Sequence, residues 1–293
     1  MTRLVRELIT ASISGAVTVV AQRLLTMRLG ASPALRRTNY AGDLVTLLEG
    51  PAVVAGLAAG ALLAPRATST TRLVSAGTIA AVGGIGGYDD VRGQTVRKGL
   101  TGHLSALSHG ELTSGAVKLV AFSATGVLAA AALGSGRPGP DPHHPAGLAA
   151  VADGALVAGA ANLVNLLDLR PGRALKASAL AALLVVPTGA GALAAPVLGA
   201  TAAAAQSDLG ARSMLGDCGA NALGAALGVS IVAGAPPWVR RGVLGVVVAL
   251  TMASERVSFS TVIDANPVLS RIDRWGVTAS SGESLIGWNP VGR

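Results

Sequence analysis

Three short stretches of this chain carry side chains whose types and spacing suit phosphate chemistry. The first is "GGYDDVRGQTVRKGL", in which Asp89 and Asp90 are adjacent carboxylates at the end of a long apolar run. The second is "ANLVNLLDLRPGRALK", where Asn162, Asn165 and Asp168 recur every third residue and form a slanting stripe on a helix. The third is "SDLGARSMLGDCGANALGAALG", where Asp217 stands between Gly216 and Gly219 just before another apolar run. Glycines there permit a tight turn, and the helix that follows offers unpaired N–H groups to an anion. Singly, these patterns equally describe a helix cap, a hydrogen bond between helices and a turn. Together they supply four carboxylates and two carboxamides. Neighbouring carboxylates are stabilised by a hard divalent cation, and Mg²⁺ takes one or two of them plus phosphate oxygens and water. The common cause expected from the residues is a Mg²⁺–phosphate site.

The elements that must position these groups are membrane helices. Only 13% of the residues are charged and 51% are hydrophobic, whereas a soluble domain carries roughly 25% charged residues. Apolar runs of bilayer-crossing length recur along the chain. The fold class expected is an all-α, polytopic integral membrane protein. About nine spans are predicted, at 8–26, 47–64, 73–88, 114–134, 146–167, 174–188, 190–206, 218–235 and 239–254. Small residues dominate and aromatics are 2%, so helices are expected to approach closely. Such spans also admit a homodimer.

Orientation follows from the basic residues. With the N-terminus outside, sixteen of the 23 lysines and arginines fall on inner segments and seven on outer ones, which favours N-out, C-in. The acids Asp43, Asp89, Asp90, Glu111, Asp168, Asp208, Asp217 and Glu255 gather at the same inner ends, which makes the active face cytoplasmic. Asp153 differs, because it lies inside the fifth span and calls for a buried partner or a cavity. The net charge of +8 is scattered over short loops rather than gathered into a patch, so no nucleic-acid partner is expected.

Two regions lie outside the spans. The outer loop "GSGRPGPDPHHPAG" is an irregular connector whose His143 and His144 lack further ligands. The chain therefore divides into a transmembrane domain, 1–253, and a cytoplasmic segment, 254–293. In the latter, "FSTVIDANPVLSRIDRWG" reads as a short amphipathic helix broken near Pro267 and lying on the inner leaflet. Cys218, the single cysteine, excludes an intrachain disulfide.

The ordered set "YDD", "GAVKLVAF", "NLVNLLD" and "GDCGANALG" resembles the polyprenyl-phosphate N-acetylhexosamine-1-phosphate transferase superfamily, which includes phospho-MurNAc-pentapeptide translocase. The likeness covers about residues 30–280, and "RRTNYAGDLV" falls where that family has its first cytoplasmic loop. The resemblance implies Mg²⁺-dependent transfer of a sugar 1-phosphate from a nucleotide sugar, UDP-linked in such relatives, to a membrane polyprenyl phosphate. The setting implied is cell-envelope glycan synthesis at a bacterial-type cytoplasmic membrane. Asp89 would engage the lipid phosphate, Asp90 would help hold the metal, and Asp217 would ligate it. Asn165 and Asp168 would position the diphosphate, with Asn162 on the same stripe. Lys118 would neutralise phosphate charge. Arg170 and Arg173 are this chain's own additions, read as substrate-binding anion ligands or as positive-inside anchors.

The sequence also departs from the pattern. Pro171 stands where an aspartate for the nucleotide base is expected, Phe122 replaces a glutamine, and Cys218 and Ala220 alter the third motif. No histidine cluster follows in the last inner segment. The metal-binding part is kept and the donor-reading part is changed. A non-catalytic relative that binds polyprenyl phosphate or scaffolds envelope enzymes is the alternative. Aspartate-dependent prenyltransferases and CDP-alcohol phosphotransferases are disfavoured by the spacing.

Overall fold

The computed structural model describes residues 2–39, 42–65, 67–92, 114–134 and 146–278, and these are mainly helical with one small two-stranded sheet. In chain order the long helices are α1 (Arg3–Leu29), α2 (Glu49–Leu62), α3 (Ser69–Arg92), α4 (Ser114–Gly134) and α5 (Ala146–Leu167). They are followed by α6 (Arg173–Val185), α7 (Gly191–Leu209), α8 (Gly216–Gly234) and α9 (Pro237–Ser254). Two short helices close the described chain, α10 (Phe259–Ala265) and α11 (Pro267–Arg274). Each predicted apolar segment falls on one of the helices α1–α9. The loops holding His103, His109, His143 and His144 lie outside the described residues.

Among the described residues four helices, α1, α4, α5 and α8, are long and apolar enough to cross a membrane. The number is five if α9 and α10, bent by 90° at their junction, are taken as one. The outward surface agrees with this character: Leu128 is 72% exposed and Leu184 71%. Large apolar side chains in such numbers suit contact with acyl chains.

The middle of the bundle is α8. It packs against α2, α3, α5, α6 and α7, and Gly216 and Cys218 to Val232 along it are buried, one after another. Its residues belong to both apolar cores. Ala220, Leu223 and Leu227, with the N-cap residue Leu215, pack with α2, α3, α6 and α7, while Ala225, Val229 and Val232 pack with α3, α4, α5 and α9. A helix walled in on all sides needs small residues, and "GANALGAALG" supplies them.

At the periphery α1 lies on α2 and α7. Gly15 and Gly199 form this crossing: a Cβ at Gly199 would collide with the carbonyl oxygen of Ala11, and one at Gly15 would sit 3.0 Å from that of Gly199. Pro196 interrupts the backbone hydrogen bonds of α7. The hydroxyl of Ser14 donates to the Pro196 carbonyl at 2.8 Å, a buried link between α1 and α7.

The segment between α1 and α2 carries more structure than its polar sequence implies. Strands β1 (Arg36–Thr38) and β2 (Leu44–Thr46) pair antiparallel, with Arg37 opposite Val45. Thr46 continues the pairing onto the segment before α8, where the Met214 N–H donates to its carbonyl at 3.0 Å. The hairpin thereby braces the entry to α8.

The partner of Asp153 is Arg240, which donates from Nη1 across from α9. Both side chains are largely enclosed. An acid within an apolar helix is thus paired with a base on the neighbouring helix.

Candidate functional site

The site forms where the C-terminal end of α3 meets the N-terminus of α8. Gly216 adopts φ +60°, a left-handed conformation that glycine takes without a steric penalty. A Cβ there would lie 2.8 Å from Oδ2 of Asp90. The room left by the missing side chain lets the Asp90 carboxylate close on the helix end. Its Oδ1 accepts from the Asp217 N–H and its Oδ2 from the Cys218 N–H, each at 2.9 Å. The helix N-terminus that the sequence offers to an anion therefore receives one from the chain itself. Asp90, expected to help hold a metal, here fixes α8 relative to α3. Arg37 of β1 donates to the Asp90 carbonyl and secures the same junction.

Asp89 and Asp217 converge on Lys118, which α4 contributes. Lys118 Nζ contacts Asp217 Oδ2 and lies 3.6 Å from Asp89 Oδ2. The ammonium group also sits 5.6 Å from the centroid of the Phe122 ring, one helical turn on. Phe122 thus fills the place of the expected glutamine with a face that favours a cation.

Asp168 reaches the same cluster from the turn after α5. Its carboxyl group is partly buried, and that burial pushes its pKa well above the ordinary value. The negative charges of Asp208, Asp217 and Asp90 add to the rise, and a hydrogen bond from the Gly216 N–H opposes it. Behind it lie two acids on other helices. Asp208 accepts from the Gly172 N–H at 2.6 Å, and the fully buried Glu49 accepts from the Ser207 hydroxyl at 2.7 Å. Glu49 belongs to none of the three sequence motifs. Its setting in "LLEGPAVV" resembles an ordinary first-turn acid, and only the packing reveals its burial.

From the carboxylates a groove of about 450 Å³ runs along α4, α5 and α9. Asp89, Lys118, Asn162 and Asn165 line it, as does Glu255. Further along, Phe122, Ala158, Leu244 and Val247 make it apolar. The asparagine stripe and the acid–lysine cluster therefore face one space.

Arg170 and Arg173 do not join it. The turn "RPG" with Gly172 at φ +76° reverses the chain after Asp168 and points both arginines at the C-terminal helices. Arg170 makes a two-pronged pair with Asp264, both contacts 2.8 Å. Arg173 grips Asp273 at 2.7 and 2.9 Å and donates to Ser260 at 2.9 Å. Lys176 donates to the Asp273 carbonyl at 2.5 Å. The two arginines expected near the substrate hold the tail instead.

This latch should respond to acid. Burial alone would raise the Asp273 pKa, but the hydrogen bond and charge of Arg173, with Arg170 and Lys176, bring it below the ordinary value. A depressed carboxylate pKa stabilises docking above the unfolded value of about 3.9. That contribution is lost as pH falls from there through the lower folded value. Limited proteolysis at 254–278 is expected to be flat from neutral pH to about 4 and to accelerate below it. The Asp273→Asn protein should be cleaved readily at every pH.

Among the described residues no set of three or more His, Cys, Asp or Glu side chains converges as a metal cage. The donor set fits another type of ion. Asp89 and Asp217 already share a cation, the Lys118 ammonium, beside a groove with room for phosphate oxygens. Two carboxylates completed by phosphate and water are what Mg²⁺ accepts, whereas a structural zinc site needs four protein ligands. No family model matches this chain, and no curated protein matches it significantly.

Proposed function

We propose that the protein is an integral-membrane phosphoglycosyltransferase. On this reading α1–α9 cross the cytoplasmic membrane of a bacterial-type cell, N-out and C-in, and the carboxylate end faces the cytoplasm. The substrates are a nucleotide sugar and a polyprenyl phosphate. The observation that carries the proposal is the groove: apolar walls suited to an isoprenoid chain end at Lys118, Asp89 and the two asparagines. A lipid phosphate lodged there would place its charge beside the ammonium group with its tail at bilayer depth.

In the reaction an oxygen of the polyprenyl phosphate attacks the sugar-bearing phosphorus of the donor. The bond from that phosphorus to the nucleoside phosphate breaks, and nucleoside monophosphate leaves. Asp217 and Asp89 would hold Mg²⁺, which when bound neutralises diphosphate charge. Asp89 faces the attacking phosphate and guides it, Lys118 offsets its negative charge, and Asn162 and Asn165 orient it by hydrogen bonds. Asp90 and Asp168 act through the backbone of Gly216 to Cys218, keeping Asp217 in place. Positioning of this kind supplies most of the rate in phosphoryl transfer.

A second reading is a non-catalytic relative that binds polyprenyl phosphate. It is favoured by the engagement of Arg170 and Arg173 with Asp264 and Asp273, which leaves the donor fewer cations. One assay separates the two. Purified protein with Mg²⁺ and undecaprenyl phosphate is offered a panel of nucleotide sugars, and nucleoside monophosphate release is followed. Release from at least one donor, abolished by EDTA, is expected. Saturable binding of the lipid without release from any donor would establish the second reading, and neither binding nor release would refute both.

A further inference from the structure

Helix α11 is inside out for a helix in water. Its buried residues are Ser270 and Asp273, at 8% and 7% exposure. Its apolar residues face outward: Val268 is 67% exposed and Ile272 53%, with Trp275 just beyond at 77%. A surface helix in water shows the reverse arrangement, with apolar residues toward the protein.

The inversion follows from the latch. Asp264 and Asp273 are the only acids between residues 259 and 278, and both are paired with Arg170 and Arg173. Asn266 caps α11 by accepting from the N–H groups of Val268 and Leu269, so Pro267 starts a new helix without loss. With Asp273 turned inward, and Asp264 at the surface but paired with Arg170, the exposed charged residues of α11 are Arg271 and Arg274. Upstream, α10 leaves the apolar helix α9 at 90°. If α9 crosses the bilayer, this bend lays the following chain along the membrane surface.

We infer that α10 and α11 form a docking surface for anionic lipid headgroups. Trp275, Val268 and Ile272 enter the headgroup–acyl boundary, while Arg271 and Arg274 contact lipid phosphates. The occupant follows from charge: an outward face with two arginines and its acids neutralised complements an anionic leaflet. The inference rests on α9 being a span and not on the proposed transferase activity. Each arginine near an anionic surface strengthens such an association roughly five-fold.

The test uses the full chain with Trp238→Phe and Trp288→Phe, so that Trp275 is the only indole. It is reconstituted in phosphatidylcholine vesicles with and without phosphatidylglycerol, and with bromine-labelled acyl chains in each. Phosphatidylglycerol is expected to shift Trp275 emission to the blue, to increase its quenching by acyl bromines and to protect it from acrylamide. Adding Arg271→Gln and Arg274→Gln should reduce the bromine quenching several-fold in the anionic vesicles, with little change in phosphatidylcholine alone. Equal quenching in both lipids would overturn the anionic assignment. Full acrylamide access in both would overturn the docking itself. Shielding that follows protein density rather than lipid charge would assign the face to a second copy of the chain and overturn the proposal.

Discussion

Asp217→Asn is expected to lower Mg²⁺-dependent release of nucleoside monophosphate by at least about 100-fold while leaving the melting temperature nearly unchanged. The two effects separate because Asp217 has two functions at different atoms. Its backbone N–H takes part in the junction with Asp90, and the substitution leaves that intact. Its carboxylate meets Lys118 at the head of the groove, where the charge is lost. Asn keeps the shape but is a poor ligand for a hard divalent ion. Asp90→Ala should behave oppositely. It strips the Asp217 and Cys218 N–H groups of their acceptor, at about 1–3 kcal/mol for each buried group left unpaired. Stability and activity should therefore fall together. Melting curves in detergent, run beside the release assay on both proteins, check the contrast. Undiminished activity in Asp217→Asn would remove this residue from the metal assignment.

Removing one partner of the Asp153–Arg240 pair is expected to destabilise the protein by about 3–5 kcal/mol, because the remaining charge keeps its enclosed position and loses this ion pair. Replacing both with leucine should recover most of that loss, since apolar side chains suit an interface between membrane helices. The pair joins α5 to α9, and the same two helices supply Ala158 and Val247 to the wall of the groove. Single variants that still fold should accordingly bind the lipid acceptor more weakly, and the double variant should regain binding. Urea or thermal unfolding of the four proteins forms a complete double-mutant cycle. Single variants as stable as the parent would show that the pair is solvated rather than buried.

Much of the helical layout can be read from the sequence because hydrophobic runs, glycine turns and Pro267 are local signals. The expected break at Pro267 appears as the boundary between α10 and α11. The convergence of Asp89, Lys118 and Asp217 was legible in a different way, from motifs placed at one set of helix ends. The functions of Arg170 and Arg173 were not legible. Both are close in sequence to Asp168, yet Gly172 turns them toward Asp273, about a hundred residues further along. Arg240 as the partner of Asp153 was hidden for the same reason, since such pairings depend on which helices touch. The resemblance assigns Asp90 to the metal, whereas its carboxylate caps α8. The deciding fact is the positive φ of Gly216, which opens a helix end to the Asp90 carboxylate.

The crossing of α1 with α7 also constrains how the chain is made. Ser14 bonds to Pro196, and Gly15 lies against Gly199, partners separated by more than half the polypeptide. During synthesis α1 emerges first and can lean on α2 soon afterwards, but its second neighbour is still untranslated. For that interval a face carrying Ser14 and Gly15 must wait in lipid, where a polar hydroxyl without a tertiary partner turns back on its own helix. Closure of the bundle is therefore a late event, timed by the arrival of α7 rather than by the insertion of α1.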